Sequence, residues 1–319
     1  MGKKYRNLIQ TQKGMSIAEF QRMYGTEKKC TKAIEILRWP NGFICSCCDH
    51  NEYYKVSNDG LKFYQCKKCG KQTSLLANTL FEQTKLPLTI WFLAMYLITQ
   101  SKNGISTLEL RRMLGVSYSS SWRIRHKLQI AMIEKDKDML LCKRVEIDDA
   151  YLGGKKPGGK AGRGSENKVP FLAAVETDYK GNPLNVIFSK VQSFSKEEIQ
   201  AWAGKHLFKT AEIITDGLSC FGELSDLQYN HKSEVVGYDR KSVELPCFKW
   251  VNTILGNVKT AFAGTFHAFK FEKYAQRYLA EMQYRINRRY DLKTLVVRLA
   301  KACVNITAQP EAVLRLSGC

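Results

Sequence analysis

No stretch of this chain is apolar for long enough to cross a bilayer. The longest apolar run, Leu86–Ile98, has 13 residues, against the roughly 20 that a membrane helix needs. The opening segment Met1–Gly14 is polar and basic and lacks an apolar centre, so no secretory leader is expected. Acidic residues are scarce too: 30 Asp and Glu against 50 Lys and Arg leave a net charge of +20. That excess is unlike a typical metabolic enzyme and points to a polyanionic partner such as nucleic acid. Together these absences imply a cytoplasmic, reducing setting with no membrane partner, in which paired cysteines signal metal more than disulfide.

What is present is an ordinary globular composition, 44% hydrophobic over 319 residues. That suffices for two or three domains and at least one substantial core. Four of the 11 cysteines form two pairs, Cys45 with Cys48 and Cys66 with Cys69, separated by 17 residues. Two such knuckles close a tetrahedral thiolate site, and Tyr53–Val56 and Leu61–Tyr64 read as the hairpin of a zinc ribbon. One structural zinc is expected there, because so small a segment has almost no core without it. Cys47 and His50 are spare candidates behind the regular pairs.

Short helices are expected on both sides of the ribbon. Ser16 is placed to cap IAEFQRMY, with Ile17, Phe20 and Tyr24 on one face and Gly25 at its end; a second helix follows at Glu27–Arg38. Leu86–Thr99 reads as an apolar helix. Ser106-Thr-Leu-Glu109 is a capping box that opens a helix to Leu114. Gly115-Val-Ser117 is a turn, and a basic helix with Arg123, Arg125, His126 and Lys127 runs on from Tyr118. Helix, glycine turn and basic helix make a helix-turn-helix, whose second helix can enter a major groove. Arg123, Arg125 and Lys127 are its candidate DNA contacts.

The second half opens on RVEIDDAYLGG. Side chains alternate across a strand, so Glu146 and Asp148 share one face, and Ile147 and Asp149 the other. On that basis Asp149 stays outside the candidate set. The 16 residues Gly153–Lys168 hold six glycines and five basic residues; Lys155, Lys156, Lys160 and Arg163 are candidate phosphate contacts. Strands follow at Val169–Thr177 and Leu184–Val191. Ser195-Lys-Glu-Glu198 caps a helix, and Ala211–Thr215 is a buried strand ending in Asp216-Gly217. Three strands, a helix and a strand is the order of a ribonuclease-H-like fold, in which the first and fourth strands are neighbours. That would bring Asp148 and Asp216 together, and two such carboxylates repel unless a cation lies between them. Two magnesium or manganese ions suit the place and can activate an attacking hydroxyl at a phosphodiester. On a downstream helix Asn252, Gly256 and Lys259 share one face, and a long helix ends in Arg285-Ile-Asn-Arg-Arg289.

The CxxC pairs and the blocks VEIDDAYLGG, ITDG, VNTILGNVK…GTFH and YLAEMQYRINRR, in this order, resemble bacterial insertion-sequence transposases of the DDE superfamily. The resemblance is to the zinc-ribbon-bearing ISXO type (the IS-fifteen-ninety-five group) and spans about residues 20–295. It implies an α/β multi-domain chain: a helical segment at 1–40, a zinc ribbon at 41–75, a helix-turn-helix at 85–135 and a ribonuclease-H-like catalytic domain at 140–305. It implies that the protein binds terminal inverted repeats and target DNA in the nucleoid as a homodimer or larger assembly, and cuts and joins DNA with two divalent ions. Asp148 and Asp216 would be the first two acids, Asn252 would take the third position and Lys259 would be the basic residue seven places on. Glu244 is the alternative third carboxylate, and His267 a weaker candidate beside phosphate. Arg285, Arg288 and Arg289 are further candidate phosphate contacts. The rival expectations are a metal-dependent nuclease without strand transfer and a non-catalytic DNA-binding regulator.

Overall fold

A computed structural model of the chain describes residues 13–58, 61–153, 168–235, 245–266 and 269–316. It divides into two compact units, residues 1–134 with 290–315, and residues 135–289 with 316–319.

In the first unit, α1 (Ile17–Tyr24) starts at Ser16, whose hydroxyl accepts from Glu19 N at 3.1 Å. Phe20 and Tyr24 turn inward, but Ile17 is 68% exposed, so the apolar face is narrower than its spacing indicates. Next come α2 (Glu27–Arg38) and a three-stranded antiparallel sheet of β1 (Tyr53–Asn58), β2 (Leu61–Cys66) and β3 (Gln72–Ser74). Trp39, Phe43, Tyr53 and Tyr64 pack ring to ring beside it, a small aromatic core. Helix α3 (Leu88–Gln100) is buried along most of its length, and Phe92 and Tyr96 stack on Tyr24 and Phe20. Its first turn is capped by a residue of α2: the Glu27 carboxylate accepts from Leu88 N at 2.9 Å and Thr89 N at 3.1 Å. Helices α4 (Thr107–Leu114) and α5 (Tyr118–Asp136) flank Gly115, which takes a left-handed conformation (φ 66°) that glycine adopts without steric cost.

The second unit is built on a five-stranded sheet. Its strands are β4 (Arg144–Leu152), β5 (Val169–Thr177), β6 (Pro183–Lys190), β7 (Glu212–Thr215) and β8 (Asn230–Ser233). They are ordered β6-β5-β4-β7-β8. The first three are antiparallel, while β7 runs parallel to β4 and β8 parallel to β7. This mixed sheet with helices on its faces is the expected ribonuclease-H-like core. Val145, Ile147, Leu172, Ala174 and Ile187 on one face pack against Ile199, Trp202 and Ala203 of α6 (Lys196–His206) and against Leu224 of the short α7 (Glu223–Asp226). On the sheet, α8 (Lys249–Gly264) packs against β4 and β5, and α9 (Phe271–Asn287) against β6 and β5.

Strand β6 lies at the sheet edge, where backbone groups lack a partner strand. Helix α9 supplies partners from its side chains. Val186 N donates to Asn287 Oδ1 at 2.7 Å, Phe188 N to Gln283 Oε1 at 2.9 Å and Lys190 N to Gln276 Oε1 at 2.7 Å. In return Asn287 and Gln276 donate to the carbonyls of Val186 and Phe188. The remaining helices, α10 (Leu295–Val304) and α11 (Glu311–Arg315), belong to the first unit.

Candidate active site

The parallel ladder between β4 and β7 ends at the pair Ile147 and Thr215. Asp148 and Asp216 are the next residues out on each chain, at the mouth left where β7 stops and β4 continues. Asp216 is held through both its carbonyl and its carboxylate. Its carbonyl accepts from Thr215 Oγ1 at 3.0 Å and Ser233 Oγ at 3.1 Å, and its Oδ1 accepts from Leu218 N at 3.1 Å. His231 Nε2 shares a 2.8 Å hydrogen bond with Thr215 Oγ1 behind it. A Cβ at Gly217 would lie 3.0 Å from Val235 Cγ2, closer than side chains usually pack.

Carboxylate oxygens of Asp148, Asp149 and Asp216 all lie within 4.8 Å of one another. Asp149 corrects the expectation from strand alternation. β4 is unpaired on its β7 side beyond Ile147, and a side chain starting from the opposite face reaches round that open edge. The crowding registers on Asp148. Burial first, and then the charges of Asp216 and Asp149, push its pKa up to about 7, against pulls from the Asp149 N–H and the Lys259 ammonium. A carboxyl poised so high among other carboxylates is the condition that a hard divalent cation relieves, and an all-oxygen donor set suits magnesium or manganese.

Helix α8 brings the other two sequence candidates. Asn252 Nδ2 donates to Phe248 O at 3.0 Å. That bond uses one N–H of the amide, and the amide oxygen is the group it can offer a cation. Lys259 is exposed, and its charge reaches Asp148. Glu244, His267, Lys155, Lys156, Lys160 and Arg163 lie outside the described residues.

The four paired cysteines form a second cluster, with their sulfurs within 4.8 Å of one another. Cys45 and Cys69 are 3.6 Å apart, as are Cys48 and Cys66. Thiolates at about 2.3 Å from a tetrahedral zinc stand about 3.8 Å apart, so the cage fits zinc and is too open for a disulfide. The four thiols titrate together: backbone N–H groups, that of Cys47 first, bring Cys45 down to about 7, while Cys69 is pushed up to about 12.

Two family models match the chain: an ISXO2-like transposase domain over residues 140–287 and a transposase zinc-ribbon domain over residues 25–72. The chain belongs to the ISXO2-like, zinc-ribbon-bearing transposases. A Halobacterium salinarum relative, "Uncharacterized protein in transposable element ISH50", is 24% identical over 216 residues, 63% of this chain and 71% of the relative. Among solved structures, a chain of the simian T-cell lymphotropic virus intasome in complex with PP2A regulatory subunit B56 gamma aligns at 10% identity and TM-score 0.27. That alignment covers 55% of this chain and 63% of that one, so the chain spans less than two thirds of its length. Among the described residues, no helix is long and apolar enough to cross a membrane.

Several of the chain's basic candidates turn out to be structural. Arg125 is fully buried and donates to Ile105 O, so it cannot reach a groove. Arg285 is 7% exposed and pairs with Glu281 at 2.8 Å. Arg288 is 8% exposed and its Nη1 meets Asp136 Oδ2 at 3.1 Å. Arg289 donates to the carbonyls of Leu184 and Pro183, extending the cover of the β6 edge. A charged group this deep is retained only with a partner, and nothing in a single sequence distinguishes a paired arginine from one facing phosphate. Arg123 is exposed beside Glu311 at 3.4 Å, and Lys127 is half-buried over the Trp91 ring at 5.9 Å.

Proposed function

We propose that this transposase cuts the ends of its element and transfers them to target DNA, using two divalent ions at Asp148, Asp216 and Asp149. The convergence of these carboxylates at the open end of β4 and β7 carries this reading. When bound, two such ions, about 3.5–4 Å apart, would activate an attacking oxygen and stabilise the leaving one. Asp148 on β4 and Asp216 just beyond β7 would hold the ions, and Asp149 would supply a third negative charge where Asn252, at the family's third position, brings none. Asn252 offers its amide oxygen without charge. Lys259 stands by as a point charge for a phosphate oxygen. In-line transfer of this kind needs positioning and charge neutralisation more than a protein nucleophile.

The zinc ribbon and the helix-turn-helix recognise the terminal inverted repeats, and the net charge of +20 supports the DNA partner. Joining two ends calls for a homodimer or a larger assembly. The test uses duplexes bearing the element's ends. Asp148→Ala and Asp216→Ala should each abolish cleavage while end binding in a mobility-shift assay is retained; undiminished cleavage in either variant refutes the site. Pre-cut ends offered with target DNA should be joined, and cleavage without joining would make the protein a nuclease.

A further inference from the structure

Glu146 lies two residues before Asp148, on the same face of β4, with none of its surface exposed (0%). Its Oε2 accepts from Trp250 N and from Val251 N, each at 2.9 Å. Both N–H groups belong to the first turn of α8, whose N-cap residue Phe248 makes no side-chain cap bond. A helix starts with four N–H groups that its own ladder leaves unpaired, and their dipoles favour a negative charge. Glu146 answers both needs from a different element. Its other oxygen makes no hydrogen bond and has Arg144 Nη1 at 3.7 Å. The opposite side of the same helical turn is tethered as well, through Trp250 Nε1 donating to Gly181 O in the β5–β6 turn.

Asn252 follows Val251 directly on α8, and Lys259 lies two turns further along. One buried carboxylate therefore joins the strand of the first aspartate to the helix of the amide and the ammonium. A carboxylate so placed is costly, and an apolar side chain of the same volume would fill the space more cheaply. We infer that Glu146 is a positioning residue, whose two bonds to the start of α8 set where Asn252 and Lys259 stand relative to Asp148. This role rests on the reading of Asp148 as a metal-holding carboxylate.

Two variants separate reach from charge. Glu146→Asp keeps the charge but is about 1.5 Å shorter, too short to span to both N–H groups. Glu146→Gln keeps the reach and an acceptor oxygen without the charge. In metal-free, DNA-free protein, hydrogen exchange at Trp250 and Val251 should stay slow in wild type and Glu146→Gln, and quicken about tenfold or more in Glu146→Asp. Cleavage should follow the same order, falling about 10²-fold in Glu146→Asp, the loss that an ångström of misplacement brings. Manganese affinity should hold in both variants, because the aspartates stay on the sheet. Wild-type exchange at Trp250 and Val251 in Glu146→Asp, or a deeper loss in Glu146→Gln than in Glu146→Asp, overturns the positioning role. Asp148→Ala that still cleaves faults the reading of the site instead, whatever the exchange rates show.

Discussion

Asp148→Asn should make the metal-free protein more stable while removing the proposed cleavage activity. Asn has the shape of Asp148 but not the charge that the site resists. In the folded chain the Asp148 pKa is about 7, against 3.8 for the unperturbed group. Each pKa step is about 1.4 kcal/mol, so ionising Asp148 at pH 8 costs the fold up to ~4 kcal/mol. Asn252, Lys259 and the Asp149 N–H remain in place in the variant. A gain of about 2 kcal/mol or more is expected, which in a unit of this size raises the melting midpoint by roughly 4 °C or more. The assay is thermal denaturation of both proteins at pH 8 in excess chelator, then in excess magnesium. With magnesium the gap should close or reverse, because a ligand at 100 times its dissociation constant adds about 2.7 kcal/mol to the protein that binds it.

The pH dependence has a definite sign. Between the unfolded and folded pKa values, folded Asp148 holds a proton that the unfolded chain has released. Metal-free wild type therefore loses stability as pH rises through that window, until both states are ionised above about 7. His206 acts the other way below 6.5. Burial pushes its pKa down to about 4, so the unfolded chain binds the extra proton and stability rises with pH there. Subtracting the Asp148→Asn profile from the wild-type profile removes the histidine's part and leaves the falling limb. A variant that melts at or below wild type in chelator at pH 8, or a difference profile that rises with pH, would refute the electrostatic account of the site.

Two further outcomes follow from the same coordinates. Cys66→Ser, or zinc removal, should unfold the ribbon around Trp39, Phe43, Tyr53 and Tyr64, because a structural zinc contributes about 10–16 kcal/mol in comparable peptides; loss of the near-ultraviolet aromatic signal and of end binding, with the sheet unit still melting cooperatively, is the expected readout, and an unchanged spectrum counts against a metal-dependent ribbon. Gln283→Leu should cost about 1–3 kcal/mol by leaving the buried Phe188 N–H without an acceptor; exchange at the Phe188 amide reports it, and protection equal to wild type would mean that α9 is not what satisfies the β6 edge.

Local chemistry made much of this fold legible. Ser16, Ser106 and Ser195 each precede a Glu by three residues, and each caps its helix by accepting from that glutamate's N–H. The strand at Val169–Thr177 lies where its apolar run indicates, and the two cysteine pairs meet as their spacing requires. What stayed hidden depends on contact partners far along the chain. β8, with the sequence Asn-His-Lys-Ser, carries no apolar alternation and is a strand only because β7 pairs with it. Gln276, Gln283 and Asn287 look like ordinary polar positions of a surface helix until the edge of β6 lies against them. For the same reason Arg285, Arg288 and Arg289 looked like phosphate contacts.

Asp149 stands close to the other two acids for the same reason that those two meet. Alternation holds along the whole of β4, but β4 is paired on its β7 side only as far as Ile147. β4 has nine residues and β7 four, so the parallel ladder runs out while β5 continues to hold the other edge of β4 through Leu152. At that step the sheet is one-sided. Carboxylates from both faces can then turn toward the gap that β7 leaves, and Asp216 enters it from the end of β7. The repulsion that raises the Asp148 pKa, the room for hard cations and the reach of Asp149 are thus three consequences of one mismatch in strand length. The short strand is therefore as much a part of the site as the aspartates it brings together.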